Sequence, residues 1–170
     1  MDGMFSTTKG LILDGVPRTL KQAQMLDQFT SIDLVLNFFS KPEVLIQKMS
    51  GRRMCPCCNK NFNIASVHTE CGYHMEPLLP KGPDPTVCDG DHETPVKLIM
   101  RDDDIPEVIQ SRLDLYNEQT LPILDYYKAK DDTVVINFEA KNGKKDYPEL
   151  KNMLIETIGE EFLHVLAAEP

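Results

Sequence analysis

The sequence predicts an α/β fold in which a small parallel sheet is flanked by helices. Three short runs are apolar almost throughout, which is typical of parallel strands covered on both faces; they are residues 11–14, 33–38 and 133–138. Segments with helical periodicity lie between and after these runs, as in right-handed strand–helix–strand units. Three strands are fewer than such sheets usually have, so the sequence predicts an incomplete sheet.

Four helical segments are expected in this order of elements. The first, residues 19–29, follows the first strand. The other three begin at a polar residue followed by X-Pro-Glu, which predicts a capping box with Ser40, Asp104 and Asp146 as the N-caps. The helix after Asp104 is expected to run to about residue 130, and Pro122 predicts a kink within it.

Composition limits the classes of function. The 170 residues carry 18 Lys and Arg against 27 Asp and Glu, a net charge of -9, which disfavours general nucleic-acid coating or binding to anionic membranes. A small phosphorylated ligand needs only a few well-placed arginines and stays compatible with this charge. The chain has no run of about 18 apolar residues and no signal-peptide core at its N-terminus. These features predict one domain in a soluble intracellular protein.

All five cysteines lie between residues 54 and 100, and an odd number in one segment favours a metal site over disulfides. The pairs Cys55-x2-Cys58 and Cys88-x2-Asp91 would present four ligands to a structural Zn²⁺. One alternative is a set of buried reduced thiols without a metal, and another is iron in place of zinc. The ligands also have alternatives: His92, His74 or Cys71 could take the fourth position, and Cys57 could replace a neighbouring cysteine. A catalytic zinc is disfavoured because four protein ligands leave no position for water.

A turn that follows the first predicted strand is a candidate ligand-binding loop. Ligands of parallel α/β sheets bind beyond the carboxyl ends of strands. Gly15 permits close approach of the backbone, Pro17 stiffens the turn, and Arg18 offers a fork to phosphate or carboxylate. The alternative is an ordinary turn with a surface arginine.

Three further arginines flank the cysteine-rich segment. Arg52 ends the second helix and Arg101 closes the segment, positions that favourable helix-end charge or a solvated charge run would also explain. Arg112 lies on a helical stripe that is otherwise apolar, so it either extends to water or faces a buried anion. Together with Arg18 these side chains are of the kind that neutralises phosphates during phosphoryl transfer.

The motifs together resemble the adenylate kinase family of nucleoside monophosphate kinases, in its zinc-containing long-lid form. The matching pieces are Gly10-Leu-Ile-Leu-Asp-Gly-Val-Pro-Arg-Thr19 with Gln22, Gly51-Arg-Arg53, the two cysteine knuckles, and Arg101-Asp-Asp-Asp104 followed by Arg112. The resemblance implies a P-loop-kinase-like parallel sheet with flanking helices. It assigns residues 10–53 and 101–166 to an incomplete core domain and residues 54–100 to a zinc-binding lid.

The family's reaction is the reversible transfer of a phosphoryl group from Mg·ATP to AMP, giving two ADP. The resemblance implies AMP contacts from Gly15, Val16, Pro17, Arg18, Gln22, Arg101 and Arg112, and ATP contacts from Lys48, Arg52, Asn61, Phe62 and Lys145. It assigns the catalytic group to Arg52, Arg101, Arg112, Asp103 and Asp104, and the zinc to Cys55, Cys58, Cys88 and Asp91. The implied cofactors are structural Zn²⁺ and the Mg²⁺ that accompanies ATP.

The sequence departs from the family pattern in three places. Val16 replaces the usual aromatic residue of the AMP turn, and Lys48 stands where an adenine-stacking arginine is common. The chain contains no G-x-x-x-x-G-K-[ST] phosphate loop; its Gly143-Lys144 lacks a glycine five positions earlier. The family's missing first strand would lie between the strands that match residues 11–14 and 33–38.

The expectation is therefore a C-terminal portion of an adenylate kinase that lacks the phosphate loop. Its partners would be ATP, AMP and ADP, without nucleic acid or membrane, and it would be a cytoplasmic or mitochondrial monomer. Two alternatives remain: a catalytically inactive, kinase-derived zinc-bearing binding or regulatory module, and a GTP:AMP phosphotransferase.

Overall fold

The computed structural model describes residues 11–159 of the chain. The helices are α1 (Leu20–Leu26), α2 (Pro42–Ser50), α3 (Pro106–Leu115), α4 (Leu121–Lys128) and α5 (Tyr147–Ile158). The strands are β1 (Leu34–Phe39), β2 (Arg52–Met54), β3 (Asn61–Asn63), β4 (Val67–His68), β5 (His74–Met75) and β6 (Val134–Glu139). Within this part of the chain, no helix is long and apolar enough to cross a lipid bilayer.

A parallel pair of strands forms the centre of the fold. β1 and β6 pair in register from Leu34 opposite Val134 to Phe39 opposite Glu139. Helices α1 and α4 cover this pair through a cluster made by Ala23, Ile123 and Tyr127, against which Ile32, Val35, Tyr126 and Val135 pack. The α/β fold with a parallel sheet and flanking helices is thus confirmed.

The prediction of a strand at residues 11–14 is wrong for the described structure. This segment has no strand conformation, and its side chains at Leu11 and Ile12 are 63% and 72% exposed. A parallel strand is held by hydrogen bonds to neighbouring strands. Within residues 11–159 the sheet of β1 contains only β6, so the segment has no partner with which to pair.

Asp27, the C-cap residue of α1, connects α1 to α4. Its carboxylate accepts hydrogen bonds from the Tyr126 hydroxyl at 2.5 Å and the Tyr127 hydroxyl at 3.5 Å, and it forms an ion pair with the Lys130 ammonium. Burial would raise the pKa of Asp27, but the hydrogen bonds from Lys130 and Tyr126 outweigh burial and lower it. The ionised carboxylate therefore stabilises the fold.

We expect Asp27→Asn to lower the free energy of unfolding at neutral pH by about 1.5–3 kcal/mol, as for hydrogen bonds to a charged group. Because the folded pKa of Asp27 is lowered, its contribution is complete above the unfolded-state pKa of about 3.9 and is lost as pH falls through the folded value. Urea unfolding at neutral and acidic pH should show the wild type and variant converging in acid. Asp125→Asn, at a side chain that is 86% exposed, is the control and should change little.

The predicted capping boxes do not form, although Asp146 is the N-cap residue of α5 as predicted. The N-caps of α2 and α3 are Lys41 and Ile105, and no side-chain hydrogen bond caps α2, α3 or α5. Ser40 instead donates to the carbonyl of Ala140 at 2.7 Å. Asp146 accepts from Lys141 N and Asn142 N, and Asp104 is buried beside Arg52 with no hydrogen-bond partner among the described residues. The helices begin at or just before a proline, whose ring is compatible with the first turn.

The long helical stretch around Pro122 is interrupted as expected. A five-residue π-helical segment, Tyr116–Thr120, separates α3 from α4. A π turn supplies an alternative to the hydrogen bond that a proline cannot donate, and such turns change the direction of a helix. The Tyr116 hydroxyl in this segment donates to Asn37 Oδ1 on β1 at 3.1 Å.

The cysteine-rich segment forms two small antiparallel units. β2 pairs with β3, and its end is extended by a bridge between Met54 and Ile99; this unit packs around buried Cys55, Phe62 and Cys88. The second unit is the β4–β5 hairpin (residues 67–75), whose Val67 and Tyr73 pack against Val44 of α2. Part of the predicted lid thus packs on a helix of the predicted core. Residue 10 and residues 160–166 of that core lie outside the described range.

Gly51 lies between α2 and β2, with its backbone packed against Ala65. A Cβ atom at Gly51 would lie 2.5 Å from Ala65 Cβ and 2.8 Å from Ala65 N, and the Gly51 carbonyl accepts a bond from Ile64 N at 2.8 Å. We expect Gly51→Ala to lower the free energy of unfolding by about 1–3 kcal/mol, as for overpacking. Denaturant unfolding measures it. Gly82→Ala is the matched control, because its Cβ would meet no atom of residues 11–159 within 4 Å.

Candidate functional site

A cavity of about 330 Å³ lies at the junction of the β2–β3 unit and the residues that lead into α3. It is lined by Arg52, Asn61, Phe62, Asn63, Leu78 and Arg101. The pairing of β2 with β3 places Arg52 opposite Asn63, and the bridge between Met54 and Ile99 brings the chain back at Arg101. The structure therefore brings together four residues that the sequence predicts for nucleotide binding, Arg52, Asn61, Phe62 and Arg101.

One carboxylate holds two of the predicted arginines. Arg101 Nε lies 3.0 Å from Asp103 Oδ1, and Arg112 Nη1 lies 3.1 Å from Asp103 Oδ2. All three side chains are about two-fifths exposed, so they are accessible from solvent. Arg112 is thus neither buried nor simply extended into water. Asp103 fixes both guanidinium groups at one place, where a ligand with several negative charges would meet them together.

The neighbouring carboxylate, Asp104, is placed differently. Its side chain is fully buried, and Arg52 Nε lies 3.6 Å from Asp104 Oδ2. Neither oxygen has a hydrogen-bond partner among the described residues. A buried carboxylate without partners is costly, so the positive charge of Arg52 is its main compensation. This attraction holds Arg52 at the base of the segment that the sequence predicts as a lid.

In the turn predicted to bind AMP, the Arg18 side chain folds back onto the backbone of the turn. Gly15 has φ +82, and the Val16-Pro17 peptide bond is cis. Arg18 Nε donates to the Gly15 carbonyl at 2.8 Å, and Arg18 N donates to Gln22 Oε1 at 2.7 Å. Gly15, Val16, Pro17, Arg18 and Gln22 therefore lie together, with Val16 54% exposed. A side chain at Gly15 would be strained, because L-residues rarely adopt this φ.

The turn and the arginine cluster are separate in the described structure, where no hydrogen bond or ion pair joins them. The run from α3 to α4 reaches both. It carries Arg112 at one end, and Thr120 Oγ1 donates to the Arg18 carbonyl at 2.9 Å at the other. The helical run therefore contacts both the turn and the arginine cluster.

Two lysines predicted near ATP have different surroundings. Lys48 Nζ donates to the carbonyls of Ala65 at 3.1 Å and Glu76 at 3.3 Å, and burial lowers the pKa of Lys48. Its ammonium group thus holds the chain that leads into and out of the β4–β5 hairpin. Lys145 is exposed in a 3₁₀ turn, Gly143–Asp146.

The Lys145 turn is fixed by a buried carboxylate. Asp146 Oδ2 accepts hydrogen bonds from the backbone N–H groups of Lys141 at 2.9 Å and Asn142 at 2.7 Å. Beside the turn, at the carboxyl ends of β1 and β6, lies a cavity of about 500 Å³ lined by Phe38, Phe138, Ala140, Gly143, Lys144, Asp146, Tyr147 and Leu150. Its apolar walls and its place at the ends of parallel strands are typical of ligand sites in such sheets.

A compact group of metal-ligating side chains lies at the far end of the β2–β3 unit. The ligand atoms of Cys55, Cys58, Cys88 and His92 all lie within 4.8 Å of one another. The sulfur atoms of Cys58 and Cys88 are 3.8 Å apart, and a tetrahedral metal with bonds of about 2.3 Å to sulfur requires roughly this spacing. Cys55 Sγ lies 3.4 Å from His92 Nε2. The four residues therefore fit a tetrahedral metal ion.

The structure groups His92, and not the predicted Asp91, with the three cysteines. Asp91 is not a member of the group, whereas the His92 ring folds back over Gly90. A Cβ atom at Gly90 would lie 3.0 Å from His92 Nε2 and 3.3 Å from Cys88 Sγ, so a side chain here would crowd both ligand atoms. Of the rivals that the sequence offered, Cys71 bonds to Thr69 and His74 to His68, both outside the group.

The environment of Cys55 favours the thiolate that a metal requires. Burial raises the pKa of Cys55, but backbone N–H groups of Cys58 and Cys57 point at its sulfur and lower the pKa to about 6. Such N–H bonds are made by the tight turn of a C-x2-C pair. The turn therefore prepares a ligand as well as placing it.

Sequence reasoning missed residues whose importance depends on tertiary contacts. Asn63 lines the arginine cavity; its Nδ2 donates to the Lys48 carbonyl at 2.8 Å and its Oδ1 accepts from Ala65 N at 2.9 Å. Tyr73 is fully buried and donates to Glu139 Oε1 at 2.6 Å. The signals in the sequence were an asparagine after Phe62 and an aromatic residue between two histidines, and neither pattern is specific.

Comparison with known proteins gives consistent results. A family model described as adenylate kinase matches residues 2–132. The chain is 42% identical over 126 residues to adenylate kinase 1, chloroplastic, of Arabidopsis thaliana, covering 71% of this chain and 41% of that protein. It is 39% identical over 135 residues to an adenylate kinase of Treponema denticola, covering 79% and 56%.

A further relative has a different name. The chain is 35% identical over 147 residues to the GTP:AMP phosphotransferase of Plasmodium falciparum (isolate 3D7), covering 86% of this chain and 61% of that protein. In all three comparisons the chain spans about half the length of the curated relative that it matches.

Proposed function

Since this chain belongs to the adenylate kinase family, we propose that it forms part of a phosphotransferase that moves a phosphoryl group reversibly between Mg·ATP and AMP, giving two ADP. In this proposal residues 10–53 and 101–166 belong to the core domain and residues 54–100 form a lid. ATP, AMP and ADP are the small-molecule partners, and Mg²⁺ enters with ATP. A monomer in the cytoplasm or a mitochondrion stays a prediction.

The observation that carries the proposal is the arrangement of Arg52, Arg101 and Arg112 around two adjacent carboxylates, Asp103 and Asp104. Phosphoryl transfer spreads negative charge over the migrating group, and its catalysis is mostly positioning and charge neutralisation. Guanidinium groups already held in place can stabilise that charge with little reorganisation. We assign these three arginines to the phosphates, and Asp103 and Asp104 to holding them.

The turn that contains Gly15, Val16, Pro17 and Arg18 is the proposed AMP site. Its exposed arginine lies beside an open glycine turn, so the guanidinium offers paired donors to a phosphate. The amide oxygen of Gln22 accepts a hydrogen bond from Arg18 N, so we assign the amide nitrogen of Gln22 to adenine. Asn61, Phe62, Lys48 and Lys145 are assigned to the ATP side.

We further propose that the metal of the Cys55, Cys58, Cys88 and His92 group is Zn²⁺. Three thiol ligands and one imidazole are a donor set that suits tetrahedral zinc. When bound, the ion supplies a cross-link between the two turns that carry the ligands, with no catalytic role. A lid of this kind closes over the nucleotide and excludes water.

Two observations support other candidates. The relative named GTP:AMP phosphotransferase, together with Lys48 being engaged by the carbonyls of Ala65 and Glu76, supports GTP as the phosphoryl donor. The lack of a G-x-x-x-x-G-K-[ST] motif among the 170 residues supports a zinc-bearing binding or regulatory module without catalysis. Both give different results from the main proposal in the following experiment.

The test is phosphotransfer by the native protein, captured from its source cells with an antibody against residues 76–100, together with its intact mass. We expect ADP to form from ATP and AMP, and GTP to compete poorly. A preference for GTP would favour the GTP:AMP reaction. Captured protein that is folded and loaded with zinc but forms no ADP from either donor would contradict the kinase proposal and favour the binding module.

A further inference from the structure

We propose that His68 and His74 form a second site for a divalent transition metal, on the β4–β5 hairpin and separate from the Cys55–His92 group. The two histidines are directly opposite each other in the antiparallel pair of β4 and β5. Their Nδ1 atoms face each other at 3.2 Å, and the ring centroids are 5.4 Å apart. Both side chains are exposed, so an ion can reach them.

The spacing of the two nitrogen atoms suits a shared ion. Metal–nitrogen bonds of 2.0–2.1 Å in a tetrahedral site place two imidazole nitrogens about 3.3 Å apart. The observed separation of 3.2 Å requires almost no movement of either ring. Without an ion, the same contact needs a proton between the nitrogens, so a metal ion replaces that proton and joins both lone pairs.

Glu76 prepares His68 for this role. Its Oε1 lies 3.7 Å from His68 Nε2, on the side of the ring away from His74. The carboxylate thus lies beside Nε2, and Nδ1 is the nitrogen that faces His74. Metal-ligating histidines commonly have a carboxylate near the second nitrogen, which helps to orient the ring.

The hairpin backbone that carries the two histidines is held by the rest of the fold. Between them in sequence, Tyr73 is fully buried, donates to Glu139 at 2.6 Å and accepts from Lys41 N at 3.1 Å. Tyr73 N donates to Thr69 Oγ1 at 3.1 Å, and His74 N donates to the Lys141 carbonyl at 3.0 Å. The ligands are therefore placed before the ion arrives, which favours binding.

The ligand type indicates which ions bind. Imidazole nitrogen suits Zn²⁺, Cu²⁺ and Ni²⁺, whereas Mg²⁺ and Ca²⁺ prefer oxygen. Two protein ligands leave the remaining positions to water, so the site is weaker than the Cys₃His group. An ion bound here links β4 to β5, so it stabilises the hairpin that packs on α2 and β6.

The test uses the full chain with Zn²⁺ in the Cys55–His92 group and Ni²⁺ as the probe, by equilibrium dialysis and elemental analysis. We expect one zinc and one nickel per chain. His68→Gln and His74→Gln should each abolish nickel binding and retain zinc, and Glu76→Gln should weaken nickel binding about tenfold, as for other partners of metal ligands. His164→Gln, which removes a histidine elsewhere in the sequence, is the control and should retain both metals.

Three results would overturn the proposal. They are a wild type that binds no nickel once zinc is in place, His68→Gln and His74→Gln variants that bind nickel as the wild type does, and nickel that enters only by displacing zinc. Far-UV circular dichroism and zinc content establish that each variant is folded. Because the substituted side chains are exposed, a folding defect would not produce selective loss of nickel.

Discussion

Substituting Cys55 by serine is expected to abolish zinc binding and to unfold the β2–β3 unit locally, while β1, β6 and their helices stay folded. Cys55 is fully buried against Phe62 and Cys88, so the variant loses both a ligand and part of a small core. Structural zinc contributes about 10–16 kcal/mol in zinc-finger peptides, where the free energy of metal binding drives folding. Hydrogen exchange of residues 54–63 and 86–99, with zinc analysis, measures the effect.

The matched control is Cys57→Ser, two residues along the same turn. Cys57 is exposed and lies outside the metal-binding group, so this variant should keep one zinc and the exchange protection of the wild type. Removal of zinc from the wild type by a chelator should reproduce the Cys55→Ser result. A Cys55→Ser protein that retains stoichiometric zinc and protected amides would refute the assignment of the group.

Replacing Arg112 by alanine is expected to lower phosphotransfer by about 10²–10³-fold, the usual effect of removing one group that stabilises transition-state charge. The assay uses a fusion protein in which the amino-terminal portion of the Treponema denticola adenylate kinase is joined to residues 10–170 of this chain. The fusion is needed because this chain spans about half the length of such relatives. Arg112 is 44% exposed, and its ion-pair partner among the described residues is Asp103, which is 40% exposed, so its removal should hardly change stability. The loss should therefore appear in kcat/KM and not in the melting temperature.

Lys128→Gln provides the charge-matched control for Arg112→Ala. Lys128 lies on α4, pairs with exposed Asp125 and has no part in the proposed site. The control should retain the activity of the unmodified fusion. Arg112→Ala activity equal to that of the control would exclude Arg112 from phosphate neutralisation.

The main elements of the fold could be predicted because local patterns determine them. The apolar runs at residues 33–38 and 133–138 correspond to β1 and β6, each shifted by one residue. Helices α2 and α3 begin at Pro42 and Pro106, within the segments where the sequence predicts them. The strand at residues 11–14 could not be judged from its own composition, because a strand exists only where a neighbour pairs with it. The capping box at Ser40 was wrong because Ser40 binds the Ala140 carbonyl, which only the folded chain brings near it, and the one at Asp146 because its carboxylate binds the backbone of the preceding turn.

The candidate site was predictable to a similar degree. Residue type and order were sufficient to select Arg52, Arg101 and Arg112, because a fork of charged donors suits phosphate wherever it occurs. The exchange of Asp91 for His92 depends on how one turn folds over Gly90, which spacing alone does not decide. The engagement of Lys48 by two carbonyls was equally hidden, since it arises from packing of the hairpin.

The most direct test of the central claim is whether the unmodified fusion converts ATP and AMP to ADP. The claim is that this chain carries a working AMP turn, phosphate-binding arginines and lid. The account predicts ADP formation that depends on both nucleotides and that neither part of the fusion gives alone. A fusion that is folded, holds one zinc and binds ATP through its amino-terminal portion, but forms no ADP, would contradict the claim.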